Sequence, residues 1–210
     1  MPRHSFNATF ADGSDANSEL RNFANQIRLD SIFEDRFSFL LLLQLFAAFK
    51  SGHLDPTKVI SQIRALEGLE ENIGLKAATV FTRTPLKGLW HQHYLEDGIA
   101  SFAKNIHKGI DKFGIPYFEQ KIVEADAAGE RRWVVETDTP HIVNDIVSGS
   151  WDRLVKSKSL TGEWLIFAKF ENKNYYLCIG KHDSGDDYLR SQIDAVCVQE
   201  FPFLKSILST

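Results

Sequence analysis

Two histidines, His91 and His93, flank Gln92 in the stretch "LWHQHYLEDG" (89–98), beside a tryptophan and a tyrosine. Imidazoles two residues apart point the same way only on an extended backbone, so a shared metal requires a strand here. A catalytic zinc would need a third ligand, for which His107, His182 and Asp183 are the candidates. No recognised spacing links them, and neither HExxH nor CxxC occurs, so no metal is assigned. The plainer reading packs one of the two histidines under its aromatic neighbours. Asp97-Gly98 then reads as the entry to a helix, and the whole stretch as a loop leading into it.

Proton transfer is the second chemistry these residues can perform. Cleavage of RNA through its 2′-hydroxyl needs a base, an acid and a cation at the phosphate, with no obligatory metal. Histidine titrates near neutrality and suits the first two roles. His91, His93, His107 and His182 are available, with Arg83, Lys87, Arg153, Lys156, Lys158 and Lys169 as cations. His182 stands out because it ends a β-forming segment beside Asp183, where a sheet edge often opens into a cleft. The alternative makes it a surface residue whose neighbouring carboxylate caps the next helix. Nucleophilic and nucleotide chemistry are disfavoured: GxSxG, GxxxxGK[ST] and GxGxxG are absent, and neither Cys178 nor Cys197 has a charged neighbour to activate it. No cofactor is assigned.

The elements that must position these groups can be read from periodicity. Residues 1–18 are polar and read as a flexible terminus. A helix is expected from an Asp30 cap to about Lys50, ended by Gly52, and a second from Asp55-Pro56 to about Glu67. The first is apolar on nearly all sides, so other elements must cover it. "AATVFTRTPL" predicts a short strand, and Ile99, Phe102, Ala103, Ile106 and Ile110 mark a helix from Gly98 to about Phe113. "YFEQKIVEA" and "RRWVVETD" flank the turn-like "ADAAGE" and predict a hairpin. "TPHIVNDIVSGSWDRLVKS" predicts a helix. "GEWLIFAKF" and "NYYLCIGKH" predict the clearest hairpin, with Trp164, Ile166, Ala168 and Phe170 on one face and Glu163, Leu165, Phe167 and Lys169 on the other. Both faces are largely apolar, which places it inside a larger sheet. A helix over 186–200 follows.

These elements define an α+β protein: a helical N-terminal part followed by an antiparallel sheet flanked by helices. The expected division is a helical hairpin region at 19–75 and an α+β domain at 76–210, or one continuous domain over 19–210. The formal net charge of −4 is spread along the chain, with no basic segment of the kind that strong phosphate binding needs. The longest apolar run, Phe37 to Phe49, is too short to span a bilayer, and the N-terminus has no signal-peptide h-region. Buried, reduced cysteines and a cytoplasmic location are therefore expected, with no membrane partner.

The order from residue 97 onward, ending in "TGEWLIFAKFENKNYYLCIGKHD", resembles the barnase/RelE/colicin-like ribonuclease superfamily, particularly its phage-associated members. The resemblance covers about 80–185. It implies helices preceding an antiparallel sheet whose concave face is catalytic, with Glu163, Lys169 and His182 on the sheet and Arg153 or Lys158 from the preceding helix. The expectation is a metal-independent, phage- or toxin-related RNA-cleaving enzyme. In it His182 acts as acid or base, His91 or His93 as its partner, and Arg153 or Lys169 as the phosphate ligand. The second expectation is a non-catalytic interaction protein, such as an immunity or accessory factor, that covers a protein partner or forms a homodimer through the Phe37–Phe49 helix.

Overall fold

The computed structural model describes residues 7–29, 35–96, 98–131 and 134–209. Asp30 and Asp97, expected at helix starts, lie outside them. The chain divides into two compact units. The first comprises Met1–Asn72, Ala77–Asp97 and Gly162–Thr210, and the second Ile73–Lys76 and Gly98–Thr161.

The first unit is built on a four-stranded sheet, β1 (Thr79–Val80), β2 (Trp90–Tyr94), β3 (Glu163–Phe170) and β4 (Lys173–Gly180), antiparallel and in that order. The 163–180 hairpin matches the expectation, with β3 inside the larger sheet and β4 at its edge. Its turn residues Glu171 and Asn172 both have positive φ, as a tight two-residue hairpin requires. In contrast, "WHQHY" is a strand rather than a loop. It is held by β1 on one side and by β3 on the other, with His91 opposite Ile166 and His93 opposite Trp164.

Three helices, α1 (Asn17–Gln26), α2 (Phe39–Lys50) and α3 (Thr57–Leu66), supply most of one core. They pack with Tyr94, Leu165, Phe167 and Tyr176 on one sheet face. Ser38 caps α2 by accepting from the Leu41 amide, and its hydroxyl donates to the Leu177 carbonyl. The all-round apolarity of α2 has a simple cause. Leu41, Leu42, Leu45 and Phe46 face this core, while Leu40 belongs to the second. Each such leucine contributes about 1.5–3 kcal/mol on burial, so the helix is spent inside the unit.

The second core lies on the opposite sheet face. There Ile166, Ala168 and Cys178 meet α4 (Asp186–Gln192, continuing through a π-turn over Ile193–Cys197 into Val198–Glu200) and α5 (Leu204–Leu208). The segment through Phe37 pairs in parallel with β4 at Tyr176 and so covers that sheet edge. A bulge between Ile166 and Phe167 shifts the β3–β4 register.

The second unit is helical: α6 (Ile99–Phe113), α7 (Pro116–Ala128), α8 (Thr139–Asn144) and α9 (Ser150–Lys156), with a π-turn over Asp145–Gly149 joining the last two. The hairpin expected around "ADAAGE" is not formed. Its first arm lies in α7, because Pro116 sits in the first turn and Gly129 adopts the left-handed conformation that closes a helix. Gly109 lets α6 approach α9, since a Cβ there would lie 2.7 Å from that of Ser150. Fully buried Asn105 donates to the Thr161 carbonyl and accepts from the Thr161 amide, both at 2.9 Å. Its side chain thus stands in for a strand partner.

Candidate functional site

Strand alternation puts Trp90, Gln92 and Tyr94 on the helix-covered face of β2 and His91 and His93 on the other. Beyond the area covered by α4 and α5, that second face presents a cluster of rings. His91 and His93 are 5.5 Å apart between centroids, and His91 lies 4.5 Å from Phe81 and 5.3 Å from Trp164. From the end of β4 the chain turns back over the start of β3, bringing the exposed His182 ring 4.4 Å from Trp164. That ring stacks on buried His93 at 5.5 Å, with 27° between planes.

Two hydrogen bonds fix His182. Its amide donates to Glu163 Oε2 at 2.7 Å, and its ring Nε2 lies 3.0 Å from the Gly162 carbonyl. A carbonyl only accepts, so Nε2 carries the proton, and in the neutral ring the lone pair is on Nδ1. Glu163 is buried and works here as an anchor for the returning chain. His91 Nε2 pairs with Thr79 Oγ1 across β1 at 3.0 Å. The indole Nε1–H of Trp164 is buried with no hydrogen-bond partner among the described residues, and lies in the middle of the cluster.

The other sequence candidates are placed elsewhere. Lys169 lies at the far end of β3 on the opposite face, with its ammonium 3.7 Å above the Trp90 ring. Arg153, Lys156, Lys158 and His107 belong to the second unit. There Arg153 is bound to Asp145 Oδ1 at 2.6 Å and to the Asp145 carbonyl at 3.1 Å; burial works to raise that carboxyl, but the Tyr117 amide, donating to Oδ2 at 2.9 Å, and Arg153 together hold it below its usual range. His107 pairs with Asp111 one helical turn on. Phe81, Trp164 and Thr79 are the members of the cluster that sequence reasoning missed. The alternation of β3 already put Trp164 opposite to Glu163 and Lys169, which was the available signal.

Although β2 is extended, no group of three or more His, Cys, Asp or Glu among the described residues is arranged to hold a metal ion. Among them, too, no helix is long and apolar enough to cross a membrane. Chemically, the cluster offers a proton acceptor in an oriented imidazole, further imidazoles within one ring's reach, and flat apolar faces for stacking. No family model, no curated protein and no solved structure matches the chain.

Proposed function

We propose that the first unit carries a metal-independent acid–base site that cleaves RNA through its own 2′-hydroxyl, centred on His182, His93 and His91. The observation that carries this reading is the meeting of three imidazoles from β2 and from the end of β4, with His182 held by the Gly162 carbonyl so that Nδ1 bears the lone pair. In the reaction, His182 Nδ1 takes the proton of the 2′-hydroxyl, whose oxygen forms a bond to phosphorus. The bond to the 5′-oxygen breaks, and that oxygen receives a proton from the imidazolium of His91 or His93. The products are a 2′,3′-cyclic phosphate and a 5′-hydroxyl, with no net oxidation or uptake of water. Trp164 and Phe81 offer faces on which a base can stack. Buried free thiols fit a reducing, cytoplasmic setting.

The test is cleavage of a fluorescent oligoribonucleotide by purified protein in excess chelator, with H182A, H93A and a substrate lacking the scissile 2′-hydroxyl. Both substitutions should lower the rate at least 100-fold, in keeping with general acid–base catalysis, and the deoxy substrate should stay intact. Cleavage by H182A at the unaltered rate, or no cleavage of any RNA by the intact protein, defeats the proposal.

A second reading, an interaction protein, is favoured by one observation. The second unit exposes Ile73, Ile99, Val123 and Val143, with Ile99 at 86%. Most apolar residues of the α2 helix are buried in the two cores, while Phe49 near its end is 45% exposed. Light scattering behind size exclusion separates the readings: a stable dimer lost in I99S/V123S supports interaction, and a monomer at 100 µM removes self-association.

A further inference from the structure

Across the sheet from the histidines, the first unit contains a cleft of about 350 Å3. It is lined by α2 through Gln44 and Ala47, by Tyr94, by Ile179 to Lys181 at the end of β4, and by the start of α4. A cleft of this size accommodates a nucleoside-sized molecule.

Its hydrogen-bond polarity is set from the backbone outward. The Ile179 amide donates to Gln44 Oε1 at 2.8 Å, which fixes that amide with its NH2 outward. Gln44 Nε2 points to Gln192 Oε1 at 3.5 Å, and Gln192 Nε2 donates to Tyr188 Oη at 3.0 Å. The Tyr188 hydroxyl therefore receives a hydrogen bond and has its own proton to give. Tyr94 adds a second donor. It is 2% exposed as a residue and lines the cleft.

The cleft thus presents outward-facing donors: the Tyr94 and Tyr188 hydroxyls and the second N–H of each glutamine. The chain around it is acidic. Glu96 and Glu163 act on Tyr94, whose phenol is raised by burial first and by these carboxylates second, and Lys181 is tied to Glu96 at 3.1 Å. Asp183, Asp186 and Asp187 follow in the same turn. A ligand here must accept hydrogen bonds without bringing negative charge. Ala47, Ile179 and Leu189 supply apolar walls, and the half-exposed Tyr188 supplies a ring at the mouth.

We propose that this cleft binds a neutral nucleobase through its ring carbonyl groups, as in uracil or guanine. The choice of a nucleobase rests on the RNA-cleaving reading of the histidine cluster, for which this would be the base-recognition subsite. The two sites share a sheet end, since His93 and Tyr94 are consecutive in β2 and Lys181 of the cleft precedes His182. A strand passing that end can place its base in the cleft and its phosphate by the imidazoles.

The experiment is a calorimetric and NMR titration of the whole protein with uridine, guanosine and adenosine, repeated on Y94F and H182A. Uridine or guanosine should bind saturably and more tightly than adenosine, whose ring has no carbonyl. Y94F should weaken binding at least tenfold, and H182A should leave it within twofold. Cleavage of RNA without saturable binding of any nucleoside overturns this inference while sparing the catalytic one. Binding that is lost in Y94F, in a protein that cleaves no RNA, supports the cleft and sinks the catalytic reading. Equal binding by wild type and Y94F overturns the cleft assignment.

Discussion

Replacing Glu67 by Gln should destabilise the first unit by about 2–4 kcal/mol. Glu67 follows α3 and holds Arg36 in a bidentate pair, Oε1 to Nη1 at 2.8 Å and Oε2 to Nη2 at 2.9 Å. Oε1 also accepts from the Tyr176 hydroxyl and from Asn174 Nδ2. The carboxylate is therefore the acceptor for donors from three places: the segment before α2, and two positions on β4. An amide keeps one oxygen but turns an N–H toward a donor, and leaves the Arg36 charge without its counter-ion. Removing one member of a fully buried pair costs about 3–5 kcal/mol, and an exposed pair contributes about 0–1 kcal/mol. The two side chains here are 20% and 18% exposed, so the effect lies nearer the buried limit.

The pH dependence follows from the same contacts. Burial works to raise the Glu67 carboxyl, but hydrogen bonds from Arg36, Tyr176 and Asn174 outweigh it and hold it below its usual range. A group depressed in the folded state contributes stability that is complete above its unfolded value and fades as pH falls through its folded value. The gap between wild type and E67Q should thus be constant from pH 8 to about 5 and shrink below about pH 4. Urea titrations across this range measure the gap, and hydrogen exchange of the β3–β4 amides assigns it to this unit. A gap under 0.5 kcal/mol at pH 7, or one unchanged down to pH 3, would refute the argument.

Asn105→Ala should cost about 2–5 kcal/mol in the second unit, because it strips both backbone groups of Thr161 of their partner; exchange of the α6 amides reads it. Cys178 and Cys197 should stay unreactive toward a thiol reagent at pH 8 until urea unfolds the first unit. Burial raises both thiols, that of Cys197 to about 12, so little thiolate forms in the folded state. Prompt labelling of native protein would contradict this.

Particular elements show what local pattern could convey. The 163–180 hairpin was legible because β-branched and aromatic residues alternate on either side of a short polar turn. The α7 segment misled because Tyr117, Phe118, Ile122 and Val123 carry strand propensity. Its helical state depends on Pro116 and Gly129 at its ends rather than on a buried stripe, since Ala125 is its one buried residue among those described. The shared orientation of His91 and His93 was conditional on an extended backbone, which pairing with β1 and β3 supplies. The His93–His182 stack was not legible, because it depends on β2 lying beside a strand remote in sequence. The opposed placement of Lys169 and Trp164 was already written in the alternation of β3.

That remoteness has a consequence for how the chain folds. Neighbouring strands β2 and β3 pair directly at Tyr94 and Glu163, yet the segment 95–162 separates them. Closing so long a loop costs about 3 kcal/mol more entropy than closing the two-residue turn of β3–β4. The Asn105 clasp on Thr161 reduces that cost, since it ties the end of the inserted segment to a position one to two turns into its first helix. An insert that folds first returns its two ends as near neighbours, and the remaining search is that of a short loop. The rate at which the histidine cluster assembles should then follow the rate at which the helical insert forms, with the sheet closing last between β2 and β3.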